Sequence, residues 1–174
     1  MPLVRSALPE RRLVASPSMK KLLLLLLLAI VALPACGDSA APDLKFTAVD
    51  GTPVDLAALK GKVVLIDFWA TWCPPCRGEV PNVVAAYQKY HDQGFDIIGI
   101  SLDQDKDALL AFTKENGMTW PQFFDGGGWQ NAISSRCGVD SIPAMWLIDK
   151  KGNLVTKDGR EDLAGQVEKL LHQP

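Results

Sequence analysis

The stretch Asp67-Phe68-Trp69-Ala70-Thr71-Trp72-Cys73-Pro74-Pro75-Cys76 sets two thiols two residues apart, directly behind an apolar run. Thiols at that spacing hold a metal, staple a loop or exchange electrons. A structural zinc centre needs four ligands, usually two such pairs or one pair with two histidines. The only histidines, His91 and His172, stand far apart and form no pair. A staple across two residues closes too small a loop to constrain the unfolded chain much. Electron exchange fits best. An apolar strand ending at Trp69 would deliver Cys73 to the N-cap of a helix whose first turn holds Pro74 and Pro75, where a missing N–H costs nothing. Free amides and the helix dipole there stabilise a thiolate on Cys73 and make it the attacking sulfur. Cys76, one turn inward and expected to be the more shielded, resolves the mixed disulfide.

Several elements must position this pair. Lys62 to Trp69 is rich in β-branched and aromatic residues and reads as a buried central strand. A helix is expected from Pro74 to about Gln93, with Val80, Val83, Val84 and Tyr87 on one stripe and a bend at Pro81. Phe95 to Ser101 reads as a second buried strand, and Asp105 to Asn116 as a helix stopped by Gly117. A helix over residues 129–137 follows Gly126-Gly127-Gly128, a loop lacking the Lys-Ser/Thr of a phosphate cradle. Trp120 and Trp129 flank that loop as packing residues. Ala144 to Ile148 turns through Asp149–Asn153 into Leu154 to Thr156, and an amphipathic helix from Leu163 to Leu171 closes the chain. At the front, a strand over residues 44–49 meets an Asp50-Gly51 turn, and Asp55 to Lys60 forms a short helix or turn. Strands alternating with helices give an α/β sandwich with a parallel pair at its centre, and the late hairpin adds antiparallel strands.

The chain has 174 residues, 48% hydrophobic and 22% charged, enough for one well-buried core. Its formal charge of −2 argues against nucleic acid as a partner. The charge is unevenly placed. Residues 1–35 carry Arg5, Arg11, Arg12, Lys20 and Lys21 against one acid, Glu10, which leaves the remainder at −6. Lys20-Lys21 precede an unbroken apolar run from Leu22 to Leu33, shorter than the roughly 20 residues of a spanning helix. Residues 1–35 therefore read as an export signal. Met19, directly before the lysines, offers an alternative start that would leave residues 1–18 untranslated.

Leu33-Pro34-Ala35-Cys36 resembles the lipobox of bacterial lipoproteins, in which the cysteine takes a diacylglycerol thioether and becomes the first mature residue; Pro34 departs from the usual residue there. Residues 36–42 then form a lipidated, flexible tether and residues 43–174 the domain. Extracytoplasmic placement on the periplasmic side, with a membrane reached through Cys36, lets disulfides form and persist.

DFWATWCPPC resembles the active site of thioredoxins. Residues 44–171 resemble the extracytoplasmic TlpA/ResA-like thiol–disulfide oxidoreductases through Asp50-Gly51, Gly61-Lys62, WCPPCRGEVP, Ile142-Pro143 and Leu147-Ile148-Asp149 with Gly152. The resemblance implies a thioredoxin-like three-layer α/β sandwich, a central mixed β-sheet flanked by helices, with an N-terminal β extension. It implies a membrane-tethered reductase of protein disulfides, often in cytochrome c maturation. No bound cofactor is expected beyond the Cys73–Cys76 disulfide, and no metal. The expected partners are disulfide-containing proteins and a membrane electron donor, and the protein is expected to be a monomer.

By position, the resemblance makes Pro143 a cis-proline beside the cysteines and frees the Ile142 backbone to pair with a substrate strand. Trp72, Pro74 and Pro75 join them as substrate contacts. Ala144 stands where the family usually has threonine. Glu79, three residues after Cys76, is an acid that tunes the cysteines or moves protons. Asp67 matches the buried aspartate of thioredoxins, where this family more often has asparagine. A carboxylate in so apolar a strand acquires a raised pKa and could take the proton from Cys76. Cys137 stands where relatives have an aromatic residue and is expected to be a small buried apolar group. Two other readings remain at this stage. One is a thioredoxin-fold peroxidase, although Ala70 replaces the Thr or Ser its motif needs. The other is a non-catalytic binding protein or chaperone.

Overall fold

The computed structural model describes residues 40–174. Strand β3 (Val63–Trp69) is its spine, because all seven residues are buried. A β-branched, aromatic run with no polar face suits a strand covered on both sides. It pairs parallel with β4 (Phe95–Ser101) and antiparallel with β6 (Ala144–Ile148). The short strands β5 (Gln122–Phe123) and β7 (Leu154–Thr156) complete a mixed sheet in the order β5-β4-β3-β6-β7. A separate hairpin, β1 (Lys45–Thr47) with β2 (Pro53–Asp55), forms the N-terminal β extension. It turns at Gly51, whose φ of +91° is open to glycine without steric cost. The extension is fastened to the sheet edge: Val49 N–H donates to Gln122 O at 2.8 Å, and Phe46 meets Phe123 edge-on at 5.1 Å.

Helices α1 (Pro74–Tyr90), α2 (Lys106–Glu115), α3 (Ala132–Cys137) and α4 (Leu163–Leu171) flank the sheet. Successive side chains of β3 point to opposite faces. Trp69 accordingly meets Phe112 of α2 at 5.5 Å, while Phe68 meets Trp146 at 5.2 Å. Helices α1 and α4 pack together, and the Tyr90 hydroxyl donates to Glu168 at 2.7 Å. The sandwich is thioredoxin-like, with the parallel pair at its centre.

Several boundaries differ from expectation. The first strand spans only Lys45–Thr47, and neither β2 nor β5 shows in the sequence pattern. The helix expected to Gln93 is α-helical to Tyr90 and then tightens into a 3₁₀ turn, His91–Gln93, closed by Gly94 at φ +99°. It runs on through Pro81. The helix expected over 129–137 is broken, because Asn131 leaves the helical path to cap α3. Its Oδ1 accepts from the N–H groups of Ile133 and Ser134 at 3.0 Å each. Two residues expected in the tether are paired: Ala40 bridges Asn153, and Ala41 N–H donates to Gly152 O at 3.3 Å. The export signal and Cys36 lie outside the described residues.

Candidate active site

After Trp69 the chain leaves β3 through a tight turn whose geometry is set by β4. Leu102 N–H donates to Trp69 O at 2.8 Å. Asp103, just past β4, is only 2% exposed. Its carboxylate accepts from Thr71 N–H at 3.1 Å, from the Thr71 hydroxyl at 2.6 Å and from the Ser101 hydroxyl at 2.7 Å. A carboxylate buried this deeply is tolerable only when so satisfied. In return it fixes the turn that presents Cys73.

Cys73 is the N-cap of α1, and Pro74 and Pro75 fill the first two helical positions. Cys76 N–H donates to Cys73 Sγ at 3.2 Å, and Arg77 N–H to Cys73 O at 3.0 Å. The two sulfurs are joined as a disulfide. Each cysteine is 3% exposed, which corrects the expectation that Cys76 is the more shielded. The segment before β6 accounts for this, since Cys73 Sγ lies 3.9 Å from the Ile142 carbonyl oxygen. The Ile142–Pro143 peptide is cis. Both residues are half-buried, Pro74 and Pro75 are exposed, and Trp72 is half exposed.

Asp67 sits mid-strand in β3, in register with Gly99 of β4 and Met145 of β6. It is buried, and its Oδ1 has no hydrogen-bond partner among the described residues. Burial first, and the charge of Glu79 second, push its pKa up to about 7. Glu79 is half-buried and accepts from Asn82 Nδ2 at 3.1 Å. An acid with its pKa raised toward neutrality thus lies in the strand that leads to two cysteines, one of them at a helix N-terminus. That constellation suits thiol–disulfide exchange.

The Redoxin family matches residues 35–171. The thiol-disulfide oxidoreductase ResA of Bacillus thuringiensis (strain Al Hakam) is 34% identical over 134 residues, covering 75% of this chain and 76% of that protein. Among solved structures, a thiol:disulfide interchange protein of the thioredoxin family from Chlorobium tepidum TLS superposes with a TM-score of 0.65. It is 30% identical over 76% of this chain and 96% of its own. The thioredoxin domain of a thiol-disulfide oxidoreductase from Bacteroides vulgatus gives 0.67, at 32% identity over 77% and 96%. This chain belongs to the redoxin family, as a ResA-like thiol–disulfide oxidoreductase.

Around the disulfide, the structure of this oxidoreductase brings together Trp72, Pro74, Pro75, Ile142 and Pro143, and joins Asp67 electrostatically to Glu79. Cys137 is only half-buried at the end of α3. Burial pushes its thiol pKa up, with Arg136 and Lys157 opposing. It is less enclosed than expected because α3 ends there, at Gly138 in the left-handed region. Trp120 is buried, as a packing residue should be, but Trp129 is 50% exposed and faces Trp72 with ring centroids 6.0 Å apart. It is not a core residue. Sequence reasoning also missed Asp103, since an acid at a strand end signals nothing until Thr71, 32 residues away, is seen against it.

Proposed function

We propose that this oxidoreductase reduces protein disulfides outside the cytoplasm, on the periplasmic side, held to a membrane by lipid on Cys36. Reduced Cys73 attacks one sulfur of a substrate disulfide. The substrate S–S bond breaks, a mixed disulfide forms, and the departing thiolate takes a proton. Asp67 accepts the proton of Cys76, and Glu79 tunes Asp67 and relays the proton toward solvent. Cys76 then attacks Cys73 Sγ and releases the second substrate thiol. Two electrons and two protons pass to the substrate, and the pair ends as the disulfide. A membrane dithiol donor reverses that last state by the same exchange. Trp72, Pro74, Pro75, Ile142 and Pro143 hold the substrate, with cytochrome c maturation as one setting. The protein acts as a monomer, without nucleic acid and with no cofactor beyond the cysteine pair.

The observation that carries the direction is how little holds charge on Cys73 Sγ. A strongly oxidising pair needs a reduced form in which several donors stabilise the thiolate. Among the described residues one amide, from Cys76, donates to that sulfur, and both intervening prolines lack an N–H. Asp67 and Glu79 further disfavour negative charge nearby. The disulfide is correspondingly stable and the dithiol reducing. Equilibration with glutathione buffers should give a potential near that of thioredoxin, roughly −270 mV, and insulin should be reduced in the presence of dithiothreitol. A potential near roughly −120 mV would make the protein a disulfide donor instead.

The anchor rests on the apolar run Leu22–Leu33 and the Cys36 that closely follows it, ahead of a charged domain. Palmitate fed to a Gram-negative host expressing the protein should label it, and Cys36→Ala should remove both label and membrane association. A wild-type product that is soluble and unlabelled rules the anchor out.

A further inference from the structure

Two large aromatic surfaces beside the disulfide stand uncovered. Trp72 is 49% exposed and Trp129 50%, and their rings meet at a tilt of 57° with centroids 6.0 Å apart. Neither is loosely held. The Trp72 indole N–H donates to Leu102 O at 3.3 Å. Trp129 rides on the 3₁₀ turn Gly128–Gln130, which is pinned at both ends by one carboxylate. Asp125 accepts from Gly127 N–H and from Ala132 N–H, each at 2.8 Å. Beyond the turn, Asn131 is wholly buried and donates to Ser101 O at 3.0 Å. Gly128 has a φ of +57°, and a Cβ there would meet Gln104 Cγ at 3.2 Å. The turn thus needs glycine to hold its backbone against Gln104, and it carries Trp129 outward into water.

Alongside the paired indoles lies a shallow cleft, lined by both rings with Leu102 and Gln104, whose lining among the described residues contains no charged side chain. Tryptophan supplies a large, stiff apolar surface with a polar edge and is enriched where partners bind most strongly. The cleft adjoins the reaction centre through Trp72, which lines it and is the residue before Cys73. An extended chain rises about 3.3 Å per residue, so side chains within a few positions of a substrate cysteine held at Cys73 can reach it.

We propose that Trp129 is a specificity-determining residue, forming with Trp72 a clamp for an uncharged, preferably aromatic, side chain that flanks the cysteine of the substrate protein. This rests on the protein-disulfide reductase reading and adds to it the chemistry of the substrate segment. Substrates with glycine or charge at the flanking positions are reduced without help from the clamp.

The test uses three disulfides with the reduced protein. One is 2-hydroxyethyl disulfide, too small to reach the clamp. The second is a disulfide-linked dimer of a glycine-rich peptide with phenylalanine two residues to either side of its cysteine. The third is the same peptide with glycine in those places. Wild type should prefer the phenylalanine peptide. Trp129→Ala should raise KM for that peptide about tenfold while leaving kcat, the glycine peptide and the small disulfide unchanged. Trp129→Phe should keep most of the preference. Equal KM values for the two peptides in wild type, or an unchanged preference in Trp129→Ala, overturn the clamp. A fall in the small-disulfide rate in both Trp129 variants also overturns it, since Trp129 would then act on the chemistry rather than on docking. Wild type that reduces none of the three would instead overturn the reductase reading.

Discussion

Cys73→Ser should abolish turnover with a protein disulfide, and Cys76→Ser should allow one attack and then stop. The difference follows from the position of each sulfur. Cys73 caps α1 and receives the Cys76 amide, so its thiolate is the one the helix terminus favours. Serine at position 73 cannot form the mixed disulfide, and the rate falls to that of the uncatalysed exchange. Serine at position 76 leaves the mixed disulfide without its resolving thiol. Insulin reduction should therefore be lost in both variants, whereas single-turnover release of the first substrate thiol should survive only in Cys76→Ser. Both should match reduced wild type in urea unfolding, since serine replaces sulfur without enlarging the site. Steady-state activity in either variant would contradict the two-cysteine mechanism.

Asp67→Asn should slow the resolving step roughly 100-fold near pH 7 while sparing the first attack, and should stabilise the fold. The stability effect has a definite sign with pH. The folded pKa of about 7 stands above the ordinary value of 3.8. The folded protein therefore keeps a proton that the unfolded chain has already released. Stability is fully present below about pH 4, declines as pH rises toward 7, and then levels off at a cost of up to about 4 kcal/mol. Asparagine removes the titration, so the gain should be largest above pH 7 and vanish near pH 4. Urea unfolding at pH 4, 6 and 8 checks this. Equal resolution rates for the two proteins across pH 6 to 9 would take Asp67 out of the mechanism.

Long apolar runs and caps made most of the sheet legible from sequence. VVLIDFW, FDIIGIS and AMWLI admit no exposed face, so β3, β4 and β6 follow from composition and length. Asp105 caps α2 by accepting from the N–H groups of Asp107 and Ala108 at 2.9 and 3.1 Å, and an acid there marks a helix start. The short strands carry no such signal, for the opposite reason. Residues 122–123 are too few to show alternation, and β5 exists because Gly99 N–H reaches Pro121 O at 3.0 Å, a contact no local pattern encodes. The break at Asn131 was hidden because asparagine in a helical pattern is tolerated until its side chain turns back to cap.

The site divides the same way. Cys73 and Cys76 follow from their own spacing, whereas the roles of Asp67 and Glu79 came from the resemblance. Ile142 and Pro143 were placed by resemblance rather than by spacing. Trp129 and Asp103 depend on chain crossings from β4 and the loop after β5. Whether a tryptophan is buried, like Trp120, or exposed, like Trp129, is decided only by what packs over it.

The most direct measurement is a map of the adduct formed by the reduced Cys76→Ser variant with an excess of a peptide disulfide. The adduct is digested without reductant and located by mass spectrometry. One peptide per protein, attached through Cys73, is the expected result. Attachment through Cys137, or no adduct in a variant that retains the wild-type fold, would contradict Cys73 as the attacking sulfur.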